Sequence, residues 1–168
     1  MKDESKEETL EEFARAAHLD PDSLKAMGGD VAVLPLNIFA SDTAGNLFPP
    51  FTKEIIFRLQ SENLKVARYS DRRESRTLVL DSADIYLPIV RFIGEGVATV
   101  ALGVLAAWIY DRWISQKESR GLRIHLTYLY LKVGSLIIQS RKIEGPASEV
   151  HKIVSAASKL FSEKTKKG

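Results

Sequence analysis

The chain has 168 residues, 45% of them hydrophobic and 27% charged, with 10 glycines, 6 prolines and no cysteine. That length suits one compact domain with an ordinary core, and the composition excludes collagen-like, mucin-like and wholly disordered chains. The lack of cysteine excludes disulfides, thiolate zinc sites, iron–sulfur clusters and cysteine nucleophiles, while 24 Lys plus Arg against 22 Asp plus Glu leave a net charge of +2, too little to point to nucleic acid.

Residues 1–9 are polar and mostly acidic, without the basic start and apolar stretch of a secretory signal, so a cytoplasmic start is expected. Leu10, Phe13, Ala14 and Ala17 then mark one stripe of a short helix. Asp20-Pro21 stops it and opens a second turn that ends at Gly28-Gly29. Two helices in tandem resemble a helix-turn-helix, but no basic recognition helix follows. Residues 1–29 therefore read as a helical appendage, 30–162 as a single α+β domain and 163–168 as a flexible tail. Within the domain, residues 31–40 form an apolar strand that Pro35 places at an edge or a bulge. A helix is expected over 51–60, with Phe51, Ile55 and Leu59 on one face. Strands are expected over 64–69 and 76–80, joined by a polar hairpin connection at 70–75.

The long helix comes next. Asp81 and Asp84 supply caps, and the helix is expected to run to about Gln116, with Pro88 in its first turns. Its centre, 96–110, holds 15 residues without a charge, roughly 22 Å against about 30 Å for a bilayer core. Reaching membrane length means extending back to Tyr86 and including Arg91 and Glu95, spaced to pair across one turn. Trp108, Tyr110 and Trp113 resemble an interfacial aromatic belt, and Thr99, Gly103 and Ala107 form a small-residue stripe suited to close helix packing. The short uncharged run favours burial against protein, with a single-pass membrane anchor around 86–110 as the alternative.

Beyond it, apolar or aromatic residues occupy every second position from Leu122 to Tyr130, the mark of a strand with one buried face. A turn at Val133-Gly134-Ser135 and an antiparallel partner over 136–143 follow, then a helix with the stripe Val150, Ile153, Val154, Ala157, Leu160 and Phe161. The expected fold is α+β, in the order β-α-β-β-α-β-β-α. A mostly antiparallel sheet is covered by the long apolar helix and a C-terminal amphipathic helix.

No catalytic constellation emerges. His125 shares its strand face with Arg123 and Thr127, His151 lies beside Glu149 and Lys152, and no histidine–carboxylate set has metal-ligand spacing. Gly94-Glu95-Gly96 interrupts a helix and does not match a phosphate loop. No catalytic residue, cofactor or metal is expected. Arg68, Arg72, Arg73 and Arg76 could hold a phosphate or an acidic lipid surface, though Asp71 and Glu74 dilute them.

From Gly96 to Leu160 the sequence runs through an apolar helix, the exit Ala107-Trp108-Ile109-Tyr110-Asp111-Arg112-Trp113, two strands, and Ile143-Glu144-Gly145-Pro146-Ala147-Ser148-Glu149-Val150 entering a final helix. This order resembles the effector-associated constant component domains of bacterial conflict and defence systems. The resemblance implies a non-catalytic adaptor and transfers no catalytic residue. The expectation is a cytoplasmic protein-interaction module, a homo-oligomer with further protein partners, that works through a sheet edge or an exposed aromatic strand bearing Tyr128 and Tyr130. The alternatives are an inner-membrane protein and a small-ligand or phosphate binder at Arg68–Arg76.

Overall fold

The computed structural model describes residues 1–17, 19–20, 28–36, 46–70, 75–77, 84–115 and 122–167. Their strands are β1 (Lys2–Thr9), β2 (Val31–Leu34), β3 (Asn46–Phe48), β4 (Val66–Arg68), β5 (Ser75–Thr77), β6 (Asp84–Tyr86), β7 (Ile89–Ile93), β8 (Arg123–Leu131) and β9 (Ile137–Pro146). The helices are α1 (Leu10–Ala16), α2 (Thr52–Ser61), α3 (Glu95–Ile109) and α4 (Ala147–Lys167). The α+β class, the long apolar helix and the C-terminal helix all follow the sequence reading. A mixed seven-stranded sheet is ordered β1-β9-β8-β7-β2-β4, with β6 paired to β8 ahead of β7. Its longest ladders, β1 on β9 and β9 on β8, are antiparallel; β7 and β6 run parallel to β8, and β4 parallel to β2.

Residues 163–167, read as part of a flexible tail, complete α4, and the strand expected over 31–40 is Val31–Leu34, paired on both sides and ending before Pro35. Three larger expectations change. Residues 84–93 are two strands, divided at Leu87-Pro88, and not the start of the long helix. Val90 and Phe92 are fully buried, Ile89 and Arg91 nearly so. A central strand covered on both faces lacks the alternation that marks a strand, so it merges with the apolar helix behind it. Gly94 makes the break with φ 88°, and α3 begins at Glu95. Arg91 therefore does not pair across a helical turn with Glu95. It is 5% exposed and donates from Nη2 to the Gly29 carbonyl at 3.1 Å, and burial lowers its pKa from the ordinary arginine value.

The second change lies at the start of the chain. Lys2–Thr9, read as part of a helical appendage, is a full strand of the sheet that registers with β9 from Lys2↔Glu144 to Thr9↔Ile137. It buries almost nothing, so no apolar period betrays it; backbone pairing forms it. Thr9 then opens α1 with a capping box, its Oγ1 accepting from Glu12 N–H at 3.1 Å while Glu12 Oε2 accepts from Thr9 N–H at 3.2 Å. The second turn expected at 21–27 lies outside the described residues.

Third, β4 and β5 are not the two arms of a hairpin. β4 pairs with β2 after the α2 crossover, whereas β5 pairs with β3 in a separate two-stranded sheet.

Each face of the main sheet has its own core. On one side α2, α3 and α4 cover Val31, Val33, Val90, Phe92, Ile124, Leu126, Tyr128 and Tyr130. On the other, Phe13, Ala14 and Ala17 seal Leu34, Tyr69, Ile89, Leu129 and Ile138. The helix that starts as α3 continues through a π turn, Tyr110–Ile114, with Ser115 N–H donating to Tyr110 O at 2.9 Å. Trp108 and Trp113 are five residues apart, about 140° around an α-helix. The wider turn brings both inward, where they meet Phe51 in edge-on contacts with centroids 5.0–6.0 Å apart. The expected aromatic belt is thus two buried tryptophans, 1% and 5% exposed, and one exposed Tyr110.

Candidate functional site

The candidate site is a groove on the helix-covered face, between α4 and the β9/β1 edge. One cleft of about 400 Å³ is lined by Lys6, Glu7, Tyr128, Tyr130, Arg141 and Phe161, among others. A second of about 310 Å³ is lined by Glu95, Lys132, Ile137 and Lys164, among others, and shares Glu7, Tyr130 and Gln139 with the first. The groove ends at the β8–β9 turn, where Val133, Leu136 and Ile137 are 73%, 69% and 43% exposed.

The register explains this assembly. Tyr128 lies opposite Arg141 and Tyr130 opposite Gln139, while Ser5 and Glu7 lie opposite Arg141 and Gln139 on the other side, so one face of three strands supplies the floor and wall. Arg141 locks the wall with two bonds to Asp3, Nε to Oδ1 at 2.9 Å and Nη2 to Oδ2 at 2.8 Å, and reaches the Tyr128 hydroxyl at 3.4 Å. The Asp3 hydrogen bond raises the Arg141 pKa, and the same bond holds the Asp3 carboxyl below its ordinary 3.8. Burial first, then the Glu95 charge, raises Tyr130 above the usual phenol value. The groove carries both signs of charge, with Lys6, Lys132 and Lys164 set against Glu7 and Glu95.

The other sequence-derived residues scatter. Tyr128 and Tyr130 do not stand on an exposed aromatic strand: they are 5% and 6% exposed, packed against Phe92 and Phe161 with centroids 5.8 and 4.7 Å apart, and only their edges reach the groove. Period-2 alternation placed them on the buried face, and α4 covers it. Arg68 lies at the far sheet edge, its Cζ 4.1 Å from the Phe48 ring centroid. Arg76 is opposite Leu47 in the smaller sheet, so it and Arg68 do not form one hairpin tip. Arg72 and Arg73 lie outside the described residues, as does the side chain of Arg76. Thr99 and Gly103 face α4: Ser158 Oγ donates to the Thr99 carbonyl at 2.8 Å, and a Cβ on Gly103 would lie 3.6 Å from the same Ser158 Oγ. Ala107 is exposed.

Two further clusters are structural in arrangement. On the opposite face His125 stacks on Tyr86 at 4.2 Å, with Nε2 3.3 Å from Asp84 Oδ2 and Nδ1 3.4 Å from Glu144 Oε1. The carboxylates engage opposite ring nitrogens, so they cannot converge on one metal ion. Over the tryptophan pair, Arg58–Asp111 at 3.3 Å and Arg112–Glu54 at 3.6 Å tie α2 to the π turn. Among the described residues no group of three or more His, Asp or Glu is placed to hold a metal.

Sequence reasoning missed the turn residues Val133, Leu136 and Ile137. Their signal was visible as apolar side chains where turn chemistry calls for polar ones. Compared with protein-family models, curated proteins and solved structures, the chain finds no match.

Proposed function

We propose that the chain is a cytoplasmic, non-enzymatic protein-interaction module. The observation that carries this reading is the β8–β9 turn, which holds three large apolar side chains in solvent within five residues at the mouth of a mixed-charge groove. Solvating Val133, Leu136 and Ile137 has no folding benefit, and exposed apolar clusters of this kind are what protein partners cover. The partner presents apolar side chains to the turn and charges of both signs to the groove. The resemblance of residues 96–160 to effector-associated constant component domains extends the proposal to a non-catalytic role in bacterial defence.

The test is a photo-crosslinking residue at position 133 in living cells. A discrete protein adduct is expected, lost on adding Leu136→Ser. The absence of a protein adduct, or transfer of the label to lipid, refutes the reading. The lipid outcome favours the second reading, an inner-membrane protein. The observation behind that alternative is that Glu95–Ile114, 20 residues, is long and apolar enough to cross a membrane by length and composition. Recovery of the protein without detergent separates the two.

A further inference from the structure

We infer that β1 pairs with β1 of a second copy, joining two sheets edge to edge about a two-fold axis at Ser5. The inference deepens the interaction-module reading by naming a partner surface away from the β8–β9 turn.

β1 is the outermost described strand of the main sheet, eight residues long, continuous in register with β9 and without proline. Its backbone has a definite outward phase. Leu10 N–H donates to Leu136 O at 2.7 Å, continuing the ladder in which partner numbers sum to 146. Residues of the same parity, Lys2, Glu4, Lys6 and Glu8, therefore turn their backbone groups toward β9, because antiparallel pairs alternate. Asp3, Ser5, Glu7 and Thr9 turn theirs outward, and Thr9 N–H is consistent with this, being taken by Glu12 across the cap. Asp3, Ser5 and Glu7 thus form a template for another strand.

Charge selects both occupant and register. In a symmetric antiparallel pair, the outward phase allows only registers in which residue numbers sum to an even value. A sum of 8 sets Lys2 against Lys6 and Glu4 against Glu4; a sum of 12 sets Glu4 against Glu8 and Lys6 against Lys6. The sum of 10 sets Lys2 against Glu8 and Glu4 against Lys6, in both halves, as close non-hydrogen-bonded pairs, extending the ion pair that Lys6 and Glu8 already make within the strand at 3.4 Å. Asp3 then faces Glu7, a like pair relieved because Arg141 already holds Asp3 in two bonds and Gln139 donates to Glu7 at 3.4 Å. Ser5 meets Ser5 on the axis, which asks for a small side chain. A strand of arbitrary sequence would not be matched this way, whereas β1 is complementary to itself.

Sedimentation velocity on the whole protein, up to about 100 μM since edge contacts of this size belong to the weak class, is expected to show a dimer that weakens as salt is raised. Ser5→Pro removes one outward N–H and leaves the bonds to β9, so it is expected to be a folded monomer. Glu4→Lys and Lys6→Glu each turn two opposite pairs into like pairs and weaken association about tenfold. Mixed in equal amounts they restore the dimer. The lysine introduced at position 4 of one copy then faces the glutamate introduced at position 6 of the other, and the unchanged Lys6 and Glu4 face each other. A wild-type monomer overturns the inference, as does a dimer that survives Ser5→Pro. Neither result touches the crosslinking test at position 133, so the two proposals fail separately.

Discussion

Gly103→Ala is the substitution that most directly probes how α3 is held. Glycine in a helix interior costs about 1 kcal/mol relative to alanine, and Gly103 sits at mid-helix. A methyl there would meet only Ser158 Oγ at 3.6 Å, an ordinary contact, and would leave the Ser158–Thr99 hydrogen bond in place. The propensity gain is therefore unopposed, and the variant is expected to be more stable by about 0.5–1 kcal/mol, a rise in Tm of about 2–4 °C for each kcal/mol in a chain of this size. Urea unfolding followed by tryptophan emission reads it, because Trp108 in α3 and Trp113 in the π turn that continues it are both buried. An unchanged denaturant slope would assign the shift to stability alone. Gly103→Leu is the control and is expected to lose about 1–3 kcal/mol by overpacking against α4. A Gly103→Ala protein destabilised by more than about 1 kcal/mol would refute the reasoning, because the small-residue stripe would then be a contact requiring glycine.

Two other perturbations follow from the geometry. Gly29→Ala should cost about 2–3 kcal/mol in chemical denaturation, since φ is +98° and the new Cβ would lie 2.9 Å from the Lys65 carbonyl, which accepts from Asp30 and Val31 N–H; a loss below about 0.5 kcal/mol would show that this turn rearranges freely. The Asp3 carboxyl is depressed in the folded state by its Arg141 bond, so its contribution is present above the unfolded value near 3.8 and fades as pH falls through the lower folded value. Amide exchange in β1 should therefore quicken as pH is lowered below about 4, after correction for intrinsic rates. Asp3→Asn should remove that dependence and cost about 0.5–1 kcal/mol at neutral pH.

Periodicity made much of the fold legible. The alternation from Ile124 to Tyr130 and the stripe from Val150 to Phe161 each carry one buried face, and a buried face leaves a repeat in sequence. Tyr128 and Tyr130 show the limit of that argument. The repeat shows which side they share but not that α4 lies over them, and only their edges contribute to the groove. The groove itself unites Arg141 with Asp3, 138 positions apart, a distance over which no local pattern operates.

The sequence by itself determined the α+β class, the apolar helix and the C-terminal helix, because each is written in runs or repeats of apolar residues. Only the tertiary structure decided the rest. β1 is polar on both faces and forms because β9 presents a free ladder. β7 is apolar on both faces and becomes a strand because β2 and β8 flank it. In each case both faces of the strand share one environment, solvent for β1 and core for β7, so side-chain alternation carries no signal and hydrogen bonds from distant strands select the conformation.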